Sequence, residues 1–101
     1  MEKILNYING ELAEPTNGNY LDNYNPSNGE VYSLIPDSEK QDIDNAVAAA
    51  KEAFKSWSKT TKQERSDILM KLADSIDKHS EELIKAESKD NGKPEALAAH
   101  V

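Results

Sequence analysis

No cysteine occurs among the 101 residues, which excludes disulfides, a thiolate nucleophile and cysteine-ligated metal from this stretch of chain while leaving its redox compartment unstated. Imidazoles are almost as scarce. His79 and His100 are the only two, and neither stands in a ligand or triad spacing with a partner; His79 replaces an apolar residue near the edge of a helical stripe and reads as a partly buried or surface side chain. Surplus positive charge is missing as well: 12 Lys and Arg against 19 Asp and Glu leave a net charge of -7, which opposes a phosphate backbone or an anionic lipid surface. Long apolar runs are lacking. Met1 to Asn6 carries no stretch of signal-peptide length, and no segment approaches the length of a membrane span, so the expectation is a cytoplasmic chain with no nucleic-acid or membrane partner. Apolar residues make up only 37%, low for a chain that must build its own core. Domain stabilities are about 5–15 kcal/mol and each large apolar side chain left in water forfeits about 1.5–3 kcal/mol, so a handful of unburied core residues suffices to unfold it.

What is present divides at Pro36. Residues 1–36 are punctuated by turns: Asn9-Gly10, between Asn6-Tyr7-Ile8 and Glu11-Leu12, is a hairpin signal, because a type I′ turn needs positive φ at both central positions. Pro15-Thr16-Asn17-Gly18-Asn19 and Pro26-Ser27-Asn28-Gly29 mark two more turns, with short extended runs at Tyr20 to Asn25 and Glu30 to Ile35. Turn geometry is sufficient reason for these Asn-Gly pairs. From residue 37 to residue 101 the period is helical. Ile43, Val47, Ala50, Phe54 and Trp57 alternate in spacings of four and three, Ser38 with Gln41 has the form of a capping box, and a helix is predicted from about 39 to 55. Thr61 with Glu64 starts a second, whose stripe of Leu69, Leu72, Ile76, Leu83 and Ala86 predicts one helix to about residue 89, stopped by Asn91-Gly92. Pro94 fits the first position of a third helix that has begun without an end signal by Val101, so the chain is expected to be truncated within an element.

Few residues offer chemistry. Asp42-Ile43-Asp44 lacks the glycine and terminal glutamate of a calcium loop and reads as a solvated helix start. Gly92-Lys93 lacks the upstream glycine and following Ser or Thr of a phosphate loop, and no Gly-x-Gly-x-x-Gly follows a strand. Glu81-Glu82 are adjacent, the spacing of a wet helix surface and not of a facing acid/base pair.

Glu87-Ser88-Lys89-Asp90-Asn91-Gly92-Lys93-Pro94, closing the long helix, resembles the signature that closes the second helix of aldehyde dehydrogenases. Upstream, Tyr7-Ile8-Asn9-Gly10-Glu11, Tyr24-Asn25-Pro26-Ser27-Asn28-Gly29-Glu30-Val31 and a helix ending in Phe54-Lys55-Ser56-Trp57 follow the order in which members of that family begin. The resemblance covers essentially the whole chain but only the first portion of the family's. It implies an α/β fold of which this is the amino-terminal piece, with short antiparallel strands followed by two amphipathic helices and the start of a third. It also implies an oxidoreductase that converts aldehydes to carboxylic acids with NAD or NADP, through a cysteine thiolate, hydride transfer to the nicotinamide and a glutamate-activated water. The cysteine, the glutamate, the oxyanion-stabilising asparagine and the cofactor loop lie downstream in the family, so the chain alone is expected to be catalytically incompetent and to bind no NAD(P). One site is implied within it: a monovalent cation, K+ or Na+, held by the Asp90 carboxylate and backbone carbonyls at Asn23 and Tyr24, oxygen ligands that suit a hard alkali ion. Its partners would be the remainder of the dehydrogenase fold or a homo-oligomer. Asn6 to Gly10 and Tyr20 to Pro26 look most like members acting on muconic semialdehydes, with betaine-aldehyde types close behind. The alternative readings are an acidic helical interaction module that binds a full-length dehydrogenase subunit, and an unrelated small α+β domain.

Overall fold

The computed structural model describes residues 1–100. They form two compact units, Met1–Tyr24 with Val31–Lys59, and Asn25–Glu30 with the residues from Thr60 onward.

In the first unit the turn chemistry acts as its residues require. Asn9 (φ 55°) and Gly10 (φ 79°) both take positive φ, so β2 (Asn6–Ile8) and β3 (Glu11–Ala13) close an antiparallel hairpin with Ile8 opposite Glu11. Strands β4 (Tyr20–Tyr24) and β5 (Val31–Pro36) pair antiparallel, Tyr20 opposite Pro36, with a register shift at Asn23/Tyr24. A two-residue strand, β1 (Glu2–Lys3), adds to β5 in parallel, so the sheet order is β1-β5-β4. The expected short antiparallel strands are present, and β1 is added to them; it escapes a reading by periodicity because two residues have no period.

Helix α1 (Lys40–Trp57) follows. The capping box expected from Ser38 and Gln41 does not form. Glu39 is the N-cap without a side-chain bond, Ser38 Oγ instead accepts from Asn6 Nδ2 (2.8 Å), and Gln41 Nε2 donates to Asn45 (2.8 Å). The expectation that Asp42-Ile43-Asp44 is solvated fails at Asp42, which is 4% exposed. Its carboxylate accepts the Thr16 N–H at 3.1 and 3.3 Å, tying the Pro15 turn to the first helical turn, where helix polarity also favours an anion. Asp44 does face solvent, paired with Lys40 (2.6 Å).

The second unit is helical. Thr61 caps α2 (Lys62–Lys78) with the reciprocal bonds of a capping box: Thr61 Oγ1 accepts from the Glu64 N–H (3.1 Å) and Glu64 Oε2 from the Thr61 N–H (2.8 Å). The single helix expected to run to about residue 89 is two, α2 and α3 (Ser80–Asn91), broken at His79 (φ -108°, ψ 19°). There the Nδ1–H of His79 donates to the Ser75 carbonyl (2.8 Å) while its N–H reaches Ser75 and Ile76 oxygens (3.1 and 3.2 Å), closing α2 locally. Ile76 and Leu83 are separated by two whole turns, so the apolar stripe passes over the break and conceals it. Pro94 is the N-cap of α4 (Glu95–Ala98), not its first residue, and α4 is a single turn.

Interior is scarce. Among the described residues Ala98 is the one buried apolar side chain in the usual sense, with Ser33 and Asp42 the buried polar ones, and Pro15 is buried in its turn.

Candidate functional site

The site grows from a helix end. Asn91-Gly92 stops α3 because Gly92 adopts the left-handed conformation (φ 80°, ψ 5°), its N–H donating to the Ser88 carbonyl (2.9 Å). Asn91 then secures both sides of the turn, accepting from the Lys93 N–H (2.7 Å) and donating to Glu87 Oε1 (2.6 Å), which Lys93 Nζ also approaches (3.5 Å).

Against this end lies the Asn25–Glu30 turn of the same unit. It is built by Asn25, whose carbonyl accepts from the Asn28 and Gly29 N–H groups (3.3 and 2.8 Å) and whose own N–H donates to Glu30 (2.8 Å). Pro26 is brought so close that a Cβ added to Gly92 would stand 3.2 Å from Pro26 Cγ. Glycine at 92 therefore answers two demands, positive φ and close approach, the second of which has no local sequence signal. The second unit thus brings together residues 25–30 and 87–94, from the two segments on which the family resemblance most depends.

Of the candidate cation ligands, Asn23 and Tyr24 end β4 in the first unit and Asp90 lies in the last turn of α3 in the second. Asn23 Nδ2 donates to Tyr32 Oη and Ser33 Oγ (both 3.1 Å), so its amide is occupied by the sheet. Among the described residues no group of three or more His, Cys, Asp or Glu is arranged to hold a metal; a cation there would depend on carbonyl oxygens. His79 and His100 are exposed. The Tyr20 phenol is pushed above its ordinary value, chiefly by removal from water and further by its hydrogen bond to, and the charge of, Glu14 (3.2 Å). Lys3 Nζ sits 4.7 Å from that ring's centroid, and the arrangement is structural.

All 4 glycines occupy turns or a helix end at positive φ, and the 37–39 connection from β5 to α1 contains none, so no glycine loop leads from a strand into a helix to approach a pyrophosphate.

The most extensive feature is apolar and outward-facing. On α1, Ile43, Val47, Phe54 and Trp57 are exposed, Phe54 to 63%; on α2 and α3 so are Leu69, Leu72, Ile76 and Leu83, Leu69 to 63%. These are the predicted stripes, and the described residues leave them largely uncovered.

The profile described as the Aldehyde dehydrogenase family matches residues 13–100. This chain belongs to that family. It is 50% identical over 93 residues to the 2-aminomuconic semialdehyde dehydrogenase of Mus musculus, a match covering 92% of this chain and 19% of that one. It is 46% identical over 96 residues to an aldehyde dehydrogenase of Vibrio cholerae, again 93% of this chain and 19% of the other. Among solved structures, an aldehyde dehydrogenase from Bacillus cereus is 40% identical with a TM-score of 0.93, covering 98% of this chain and 21% of that one. Betaine aldehyde dehydrogenase from Staphylococcus aureus, in complex with NAD+, is 35% identical with a TM-score of 0.91, over 96% and 20% of the two chains. The present chain therefore spans about a fifth of the length of the dehydrogenases it matches, and its strands and helices are the α/β amino-terminal piece of that fold. Among its described residues no helix is long and apolar enough to cross a membrane.

Proposed function

We propose that this chain is the opening segment of an NAD(P)-dependent oxidoreductase that converts an aldehyde to a carboxylic acid, and that its contribution there is structural. The observation that carries the reading is the pairing of a match to dehydrogenases over nearly all of this chain with uncovered apolar stripes on α1, α2 and α3. Such stripes call for a partner surface, and the part of the fold that these residues do not include supplies one without a second protein. The interaction-module reading needs a separate subunit for the same role and gains nothing from the match. Cofactor and thiolate chemistry are assigned to residues outside this chain, which has neither cysteine nor a phosphate-cradling loop. Homo-oligomer contacts and a cytoplasmic location belong to the same proposal.

For the substrate, the 50% identity to a 2-aminomuconic semialdehyde dehydrogenase supports an aldehyde of the muconic-semialdehyde type, with betaine-aldehyde types second. For the cation, the oxygen-only donor set of Asp90 with the Asn23 and Tyr24 carbonyls supports K+ or Na+.

The test is a transplant. Residues 1–101 replace the corresponding segment of the Bacillus cereus dehydrogenase, and aldehyde-dependent NAD(P) reduction is followed. Retained turnover in the chimera, with none from the 101-residue chain alone, is expected. A soluble, folded chimera without turnover, or turnover by the short chain above a denatured control, overturns the proposal.

A further inference from the structure

Each of the 4 glycines follows an asparagine: Asn9-Gly10, Asn17-Gly18, Asn28-Gly29 and Asn91-Gly92. Asn-Gly is the sequence in which a side-chain amide most easily meets the next backbone nitrogen, because glycine places no Cβ in the way. We infer that Asn9 is a site of spontaneous deamidation in the folded protein, water being the only co-reactant, and that the other three pairs are held out of reaction by their hydrogen bonds.

The reaction needs a free glycine nitrogen and a mobile asparagine side chain. The Gly10 nitrogen attacks Asn9 Cγ; the N–Cγ bond forms, the Cγ–Nδ2 bond breaks, and Nδ2 leaves as ammonia with the amide proton. Water then opens the five-membered imide at either carbonyl, giving aspartate or isoaspartate. No electron is transferred.

Three pairs oppose the first step. Gly18 N–H donates to Pro15 (2.9 Å), Gly29 N–H to Asn25 (2.8 Å) and Gly92 N–H to Ser88 (2.9 Å). Their asparagines are occupied too: Asn17 donates to the Asp37 carbonyl and accepts from the Asn19 N–H (both 2.9 Å), Asn28 accepts from the Glu30 N–H (2.9 Å), and Asn91 bonds Lys93 and Glu87 (2.7 and 2.6 Å).

Asn9-Gly10 differs in its hydrogen bonding. Among the described residues neither the Gly10 N–H nor the Asn9 amide has a hydrogen bond, both residues are exposed, and no atom lies within 4 Å of where a Gly10 Cβ would stand. The turn joins a two-stranded hairpin of 3 residue pairs, an element of low intrinsic stability whose tip opens without disturbing a wider sheet. Conversion adds one negative charge at this tip, and isoaspartate lengthens the backbone where a two-residue turn sets the register.

Peptide mapping by mass tests the inference on the Bacillus cereus chimera carrying residues 1–101 at mildly alkaline pH, its tertiary packing checked by near-ultraviolet circular dichroism, with a parallel sample in guanidinium. Natively, Asn9 is expected to convert at least about tenfold faster than Asn17, Asn28 or Asn91, the factor matching about 1.4 kcal/mol of hydrogen bonding that must first be lost. In denaturant the four rates converge. Isoaspartate detection in the Asn9 peptide identifies the imide route. A native rate at any other pair equal to or above that of Asn9, or an Asn9 product free of isoaspartate, overturns the inference.

Discussion

Asp42 and Asp90 are both carboxylates on helices, and their surroundings separate their roles. Asp42 is buried and bonded to the Thr16 N–H, a structural anchor that its sequence neighbours disguise as a solvated helix start. Asp90 lies in the exposed last turn of α3, and its proposed role is ligation. If a cation joins it to the Asn23 and Tyr24 carbonyls, ion binding stabilises the complete enzyme by RT ln(1 + [L]/Kd), about 2.7 kcal/mol at a hundredfold excess over Kd. Potassium or sodium is then expected to raise the melting temperature of the wild-type enzyme above that in a bulky organic cation, and Asp90→Asn to abolish the difference. Equal shifts in all three salts for both proteins would leave Asp90 a turn residue. Gly92→Ala is expected to cost about 1–2 kcal/mol, since a Cβ disfavours the left-handed region and would meet Pro26 Cγ at 3.2 Å; chemical denaturation measures it. Relief of part of that loss by Pro26→Ala would identify the contact as the cause.

At the scale of elements, two helix starts that look alike in sequence behave differently. Thr61 and Glu64 form a reciprocal capping box, so Thr61→Ala is expected to cost about 0.5–2 kcal/mol and to lower the helical signal of α2. Ser38 bonds Asn6 across the first unit instead. Ser38→Ala and Asn6→Ala are therefore expected to have similar effects that do not add in the double variant; additive losses would mean that Ser38 acts as a cap after all. The legible parts of the secondary structure were those governed by local chemistry: the Asn9-Gly10 hairpin, the Thr61 start and the Gly92 stop. The break at His79 was not legible, because a stripe that resumes after two whole turns has the same pattern as an unbroken helix.

For the whole molecule, the ratio of apolar stripe to available cover decides behaviour. Phe54, Trp57, Leu69, Leu72 and Leu83 are all exposed, and at about 1.5–3 kcal/mol each their burial elsewhere is comparable with a domain's entire stability of about 5–15 kcal/mol. Alone, the 101-residue chain is expected to bind an apolar fluorescent dye and to self-associate, with a broad thermal transition. A sharp, cooperative melt from a monomer that binds no dye would contradict this.

By itself the sequence determined the family, the passage from strands to helices at Pro36, the turn positions and the faces that need cover, but neither β1 nor the break at His79, because periodicity, capping and positive-φ turns depend on residues within a few positions of one another. Only the tertiary structure decided that β1 pairs in parallel with β5, that Asp42 is buried against the Pro15 turn, that Ser38 answers Asn6, and that Gly92 accommodates Pro26. Each of those joins residues far apart in the chain, where no local pattern records the partner and packing alone selects it.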